Sequence, residues 1–328
     1  MVNGWFDNTM ADFNQKNSYV ANYLIQNSIW WIEYAGLDGI RQDTYPYSDQ
    51  EFMANWMKKL REEYPNFNVV GEVWLNTPPQ VAYWMDKSPV NTGSRSNLTN
   101  VFDFPLMLAI QKAFTENEGW DTGMARLYDI ISQDFVYSNP MNLVLFVDNH
   151  DIERIYPVVR NVENVKMALA FIFTTRGIPM IYYGTEALSD RGSLQGDPGK
   201  RKDFPGGWEG DKENMFTGQN ISNDQKAVFQ YLTSLQNWRK GNKTVQEGKL
   251  THFIPEGGIY VFFRSLGESS VMVIMNNNGK EMKLEANRFR ENLNGFKRGK
   301  DALDGTIIKD LDKIEVPGKS VKIIELSK

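Results

Sequence analysis

NLVLFVDNHD, residues 142–151, is an apolar run of strand length that stops on four polar residues. Two earlier stretches end the same way. LDGIRQD (37–43) closes on Asp43, and NFNVVGEVW (66–74) carries Glu72 close to its end. Shorter runs at 101–103 and 178–183 also read as strands. Between the runs lie stretches with apolar residues at helical spacing. They are 18–35, with Ser18 as N-cap and Gly36 as stop, then 49–64, 78–85, the second part of 101–114, 122–133, 161–175, and 224–241 closed by Gly241. Residues 86–100 and 187–214 read as loops.

Alternation of strand and helix predicts an α/β fold with parallel strands and crossover helices. A (β/α)8 barrel and a doubly wound sheet both build their sites at the carboxyl ends of strands. No Gly-x-Gly-x-x-Gly or P-loop follows any strand, which counts against a nucleotide site. The period changes after residue 241. GIYVFFRSL (258–266), SSVMVIMNNN (269–278), MKLEANRF (282–289), GTIIKD (305–310) and KSVKIIEL (319–326) alternate and are separated by turn residues. They predict an antiparallel β-sandwich of roughly five to eight strands.

Composition narrows the function. Lys and Arg number 36 against 41 Asp and Glu, and no basic run is interleaved with aromatics, which argues against nucleic acid as a partner. The absence of cysteine excludes disulfides, thiolate chemistry and cysteine-ligated metals. No stretch reads as a membrane span, and residues 1–17 do not read as a signal peptide. The 42 aromatic residues (9 Trp, 14 Tyr, 19 Phe) serve the core and also suit a groove that stacks on sugar rings.

Three strand ends carry carboxylates: Asp43, Glu72, and the pair Asp148 and Asp151 around Asn149 and His150. Carboxylates converging from strand mouths suit glycosidic cleavage. One attacks the anomeric carbon and the other protonates the leaving oxygen. Spacing alone does not say which does which, and acids at strand ends also cap helices or pair with arginine. Arg41, two residues before Asp43, leaves the same face of its strand, and such a pair favours an ionised Asp43. His150, between polar neighbours at a strand mouth, reads as a donor to ligand hydroxyls; His252 lies in the β region.

GIRQD (39–43), GEVW (71–74), NHD (149–151) and GIPMIYYG (177–184), in that order and preceded by MADFNQ (10–15), resemble the ordered signatures of the α-amylase family, glycoside hydrolase family 13. DGIRQDTYPY (38–47) and KDFPGGW (202–208) are most similar to its neopullulanase or cyclomaltodextrinase-like group. The resemblance selects the (β/α)8 TIM barrel. It divides the chain into the end of an inserted loop domain (1–17), the C-terminal five or so barrel units (18–241) and a C-terminal all-β domain (242–328). It implies a retaining hydrolase of α-1,4-glucosidic bonds in maltooligosaccharides, cyclodextrins, starch or pullulan. A glucanotransferase and a non-catalytic α-glucan-binding remnant are the alternatives.

The resemblance also assigns roles. Asp43 would be the nucleophile, Glu72 the acid/base and Asp151 the third carboxylate. Arg41 would orient Asp43, His150 would donate to the reacting sugar with support from Asn149, and Trp74 would be a stacking platform. Arg201 and Asp203 would contact sugars further along. Where many relatives carry a Lys-His pair, Pro46 and Tyr47 stand here, so the contact passes to Tyr45 or Tyr47. The family's first motif is absent from this sequence. The expectation is therefore that the front of the barrel lies upstream or on another chain, either a missing N-terminal fragment or a second copy. No cofactor is identified in the residues present, and calcium would enter through that missing region. Location stays open, with the periplasm or cell exterior preferred to the cytoplasm.

Overall fold

The computed structural model describes residues 8–93, 96–192 and 194–328. The chain folds as two compact units, Met1–Pro105 with Ser132–Val144, and Leu106–Ile131 with Leu145–Lys328.

The first unit carries α1 (Ser18–Ala35), β1 (Gly39–Gln42), α2 (Gln50–Glu63), β2 (Asn68–Gly71), α3 (Pro78–Ala82) and β3 (Asn100–Phe102). The chain then passes through α4 (Phe104–Ala113) and α5 (Ala125–Ile131) and reaches β4 (Leu143–Leu145). In the first unit β1 pairs in parallel with β2 (Gly39 opposite Asn68), β2 with β3 (Val70 opposite Asn100), and β3 with the start of β4 (Val101 opposite Leu143). Parallel neighbours require crossovers, and the helices between the strands supply them.

Local chemistry explains the helix ends. Asn17 rather than Ser18 caps α1, its side chain accepting from the amides of Tyr19 and Val20. Gly36 ends α1 at φ 62°, where a Cβ would be strained. Asp49 caps α2 by accepting from Phe52 N–H at 2.9 Å. Met53, Trp56, Met57 and Leu60 of α2 recur at helical spacing and are all buried.

The second unit continues with α6 (Ile155–Val159), α7 (Val162–Thr174), β5 (Ile178–Pro179), α8 (Gly196–Lys200), α9 (Asn223–Gly241) and α10 (Lys243–Glu247). α8 was not expected in the loop 187–214. Gly241 is the last residue of α9 and Asn242 its cap, so the stop lies one residue later than expected. The N-terminus of α9 is a capping box between Ser222 and Gln225. Met180 N–H donates to Leu145 O at 2.7 Å, tying the end of β5 to the end of β4.

The strands β6 (Lys249–His252), β7 (Ile259–Leu266), β8 (Ser269–Asn276), β9 (Met282–Glu285), β10 (Arg298–Asp301), β11 (Ile307–Ile308), β12 (Lys313–Val316) and β13 (Ser320–Ser327) follow, with the one-turn helix α11 (Arg290–Leu293) after β9. One antiparallel sheet has the order β11-β10-β13-β8-β7-β6, and β12 pairs with β9 in another. The period of two splits β7 between two cores. Ile259, Val261 and Phe263 join Met272, Ile274, Ile314, Val316 and Ile324 in one cluster. Tyr260 and Phe262 turn the other way, onto Phe171 of α7, at ring-centroid distances of 6.3 and 5.8 Å. This double burial leaves β7 and β8 buried almost throughout, where alternation was expected.

Candidate active site

In the first unit two strand ends are stitched together by backbone bonds. Glu72 N–H donates to Gln42 O at 2.8 Å, and Tyr45 N–H donates to Glu72 O at 3.1 Å. The register brings Asp43 and Glu72 to neighbouring mouths. Between them Thr44 takes a left-handed conformation, φ 46°. Its N–H donates to Glu72 Oε2 at 3.1 Å.

Arg41 spans the pair. Its Nη1 donates to Asp43 Oδ1 and its Nη2 to Glu72 Oε1, both at 2.5 Å. The carboxylates differ in surroundings: the Asp43 side chain is 63% exposed and that of Glu72 6%. Burial pushes the Glu72 pKa above the usual carboxylate range, and a hydrogen bond with Asp43 and its charge push the same way. The Thr44 amide and the Arg41 charge pull it down but do not win. The result is one accessible carboxyl group beside a buried one whose proton affinity is raised. Nucleophilic attack and proton donation need that division.

Trp74 lies on Phe104 with ring planes 11° apart and centroids 5.0 Å apart, leaving it 39% exposed. A half-open indole fixed from one side can receive the apolar face of a ring from the other. Tyr45 is not available for that. It is 1% exposed, edge-on to Trp84, and its hydroxyl donates to Ser96 O at 3.3 Å. Burial raises its pKa to about 12. Its ring packs under Gly71, where a Cβ would come within 3.3 Å of it. Tyr45 therefore serves the core, and Tyr47 is the half-buried tyrosine of the two.

In the second unit the residues after β4 form a polar turn. Asn149 Oδ1 accepts from the amides of Asp151 and Ile152 at 2.8 and 3.0 Å, so Asn149 shapes the backbone. His150 Nε2 lies 2.9 Å from Asp151 Oδ2, and Arg201 Nη2 donates to Asp151 Oδ1 at 2.7 Å. Asp151 keeps a 26% exposed side chain. Asp203 is exposed, and among the described residues no hydrogen bond or ion pair joins it to this turn.

Asp148 proves to be a buried fastening. Thr185 Oγ1 donates to it at 2.6 Å, Ile155 N–H at 2.9 Å, and the Arg154 guanidinium lies 3.9 Å away. Burial raises its pKa. Arg154 and Lys200 escaped the sequence reading. Arg154 follows Asp151 by only three residues, but its partners lie near 183 and 200. No local pattern announces them. Among the described residues no group of three or more acidic or histidine side chains is placed to hold a metal ion, and no helix is long and apolar enough to cross a membrane.

Against known proteins, the family model of the alpha amylase catalytic domain matches residues 4–192, and that of the cyclo-malto-dextrinase C-terminal domain matches residues 250–325. A cyclomaltodextrin glucanotransferase of Paenibacillus macerans is 26% identical over 267 residues, covering 81% of this chain and 34% of that protein. A cyclomaltodextrinase of Thermoanaerobacter pseudethanolicus is 27% identical over 278 residues, covering 83% and 43%. The chain thus spans about a third to two fifths of these relatives' length. Among solved structures, the acarbose complex of an alpha-amylase from Geobacillus thermoleovorans superposes with a TM-score of 0.79 at 22% identity, over 97% of this chain and 66% of that one. At that identity the likeness is one of fold: a catalytic TIM barrel followed by a β domain.

Proposed function

The chain belongs to the α-amylase family, whose catalytic-domain match takes in more than half of it, and from that premise we propose that it carries the carboxylates of a retaining hydrolase of α-1,4-glucosidic bonds. Asp43 attacks the anomeric carbon while Glu72 gives its proton to the leaving glucosyl oxygen. A covalent glycosyl–Asp43 ester results. Glu72, now ionised, takes a proton from water as that water attacks the same carbon and releases Asp43. Asp151 and His150 hold hydroxyls of the reacting sugar, and Trp74 receives a sugar on the leaving-group side. The substrate class is α-glucan: maltooligosaccharide, cyclodextrin, starch or pullulan.

The observation that carries the reading is the bridging Arg41. One guanidinium serves two carboxyl groups of opposite accessibility, the buried one with its pKa raised, which fits two groups that act together in different roles. A slow substrate that accumulates the ester, such as a 5-fluoro-α-glycosyl fluoride, tests it. Peptide mass mapping should find the label on Asp43 and none in Asp43→Asn. A label elsewhere, or release of inverted product with no ester, defeats the reading.

Transfer to a second glucan is the other reading, favoured by the glucanotransferases among the relatives. Both reactions use the same ester and differ in whether water or a sugar hydroxyl accepts it. Product chain lengths from a single maltooligosaccharide separate them.

A further inference from the structure

We infer that Arg201, assisted by Lys200, is a positioning residue for the Asp151 carboxylate, and that α8 exists to bring these two cations to the turn after β4. The inference rests on the reading of Asp151 as a sugar-binding carboxylate.

Four bonds join segments about fifty residues apart in sequence. Arg154, 1% exposed, donates through Nε to Lys200 O at 3.0 Å and through Nη2 to Tyr183 O at 2.7 Å. Its guanidinium also lies 4.1 Å from the centre of the Tyr182 ring. A buried arginine therefore anchors the end of α8 from below. From that anchored point Lys200 Nζ reaches back to Asp151 O at 2.5 Å. Arg201 Nε reaches His150 O at 3.1 Å, and Nη2 reaches Asp151 Oδ1 at 2.7 Å. Lys200 Nζ also lies 3.2 Å from Asp197 Oδ1.

Both cations thus reach the backbone or carboxylate of residues 150 and 151, Lys200 sharing its ammonium with Asp197. A guanidinium's planar fork makes the Arg201 contact directional: gripping a carbonyl and a neighbouring carboxylate together fixes the rotamer of Asp151. The opposite oxygen, Oδ2, meets His150 Nε2 at 2.9 Å. An ionised carboxylate can accept about four hydrogen bonds. Arg201 takes one of these on Oδ1 and the imidazole lies against Oδ2, so each oxygen has room left, which suits two adjacent sugar hydroxyls. Arg201 is therefore placed to act on the reacting sugar through Asp151, at a cation–carboxylate pair that remains open to solvent.

The test compares the natural protein with Arg201→Met, Arg201→Lys, Asp151→Asn and the Arg201→Met/Asp151→Asn double variant. α-Glucosyl fluoride, a one-sugar substrate, is used beside maltoheptaose. The Arg201 side chain is 45% exposed, so its loss should leave the fold intact, which melting temperatures check. Arg201→Met should lower kcat by about tenfold to hundredfold on both substrates. Arg201→Lys should recover part of that loss, and the double variant should fall no further than Asp151→Asn alone. A contact to a remote sugar would behave otherwise: Arg201→Met would raise KM for maltoheptaose and leave α-glucosyl fluoride untouched. That result overturns the inference, as does a double variant whose loss is the product of the single losses. Full activity in Asp151→Asn would remove the premise itself, and it is read from a different variant.

Discussion

Arg41 Nη2 meets Glu72 Oε1 at 2.5 Å, yet folding raises the pKa of Glu72. An arginine in contact normally lowers a carboxyl group's pKa. Here burial outweighs it, and Asp43, held by the other arm of the same guanidinium, adds to the burial effect. Arg41 therefore moderates the proton affinity of the group it touches.

That moderation predicts a direction for the pH profile. Proton donation needs Glu72 protonated, so kcat/KM should fall as the pH rises through its elevated pKa. Arg41→Met removes a charge that lowers this pKa. The falling limb should then move to higher pH, even though the rate is lower because Asp43 has lost its partner. A profile on a short maltooligosaccharide checks it. A limb that stays in place or moves to lower pH would rule out the role given to Arg41.

Stability should follow the same proton. A raised pKa means the folded chain binds it more tightly than the unfolded chain. Below the unfolded value both states are protonated and the burial carries no charge penalty. As the pH rises through the folded value, the ionised Glu72 costs stability. Glu72→Gln does not titrate. Its melting temperature should gain on the wild type as the pH rises from about 4, the unfolded value, through the raised folded value. Calorimetry at both ends decides it; a constant difference would show that Glu72 titrates alike in both states.

Gly71 is the residue before Glu72, and its lack of a side chain is structural. A Cβ there would meet Leu98 Cδ2 at 2.6 Å and the Tyr45 ring at 3.3 Å. In Gly71→Ala either these tightly buried side chains or β2 itself must shift, and both being fully buried favours the strand. The expected cost is about 1–3 kcal/mol in a denaturant titration. The displacement would carry Glu72 with it, so kcat should fall more than KM rises. An alanine variant with native stability and rate would show that Leu98 and Tyr45 yield freely.

The stretches that announced the fold did so because strand mouths concentrate polar residues after apolar ones. Asp43, Glu72 and the turn at 149–151 were legible for that reason. β4 is shorter than its apolar run because Phe146 and Val147 stay buried after the strand has ended at Leu145. Hydropathy cannot separate burial from pairing. Tyr45 misled because an aromatic two residues after the carboxylate Asp43 looks the same in sequence whether its ring points to solvent or beneath Gly71. Arg154, Lys200 and Thr44 were invisible for other reasons. The first two act across about fifty residues, and the third acts through a backbone conformation that threonine does not advertise.

A last prediction concerns a buried arginine that donates to backbone carbonyls. Arg264 is 0% exposed and donates to Gly248 O at 2.8 Å, to Thr174 O at 3.1 Å and to Thr175 O. Arg239 adds bonds to Phe173 O at 2.8 Å and Gly177 O at 3.1 Å. The two guanidinia thus close the carboxyl end of α7, whose last carbonyls lack helical partners and carry partial negative charge. Burial, then the neighbouring Arg239 and Arg176, lower the Arg264 pKa to about 9, which leaves it charged at neutral pH. Arg264→Met would relieve the buried charge but strand three carbonyls, each costing about 1–3 kcal/mol. The net loss should be roughly 3 kcal/mol, read as a shift in the denaturant midpoint. Arg264→Lys should recover little, because a single ammonium cannot reproduce the fork that reaches both Gly248 and the α7 terminus. Wild-type stability in the methionine variant would mean that Arg239 alone suffices to cap the helix.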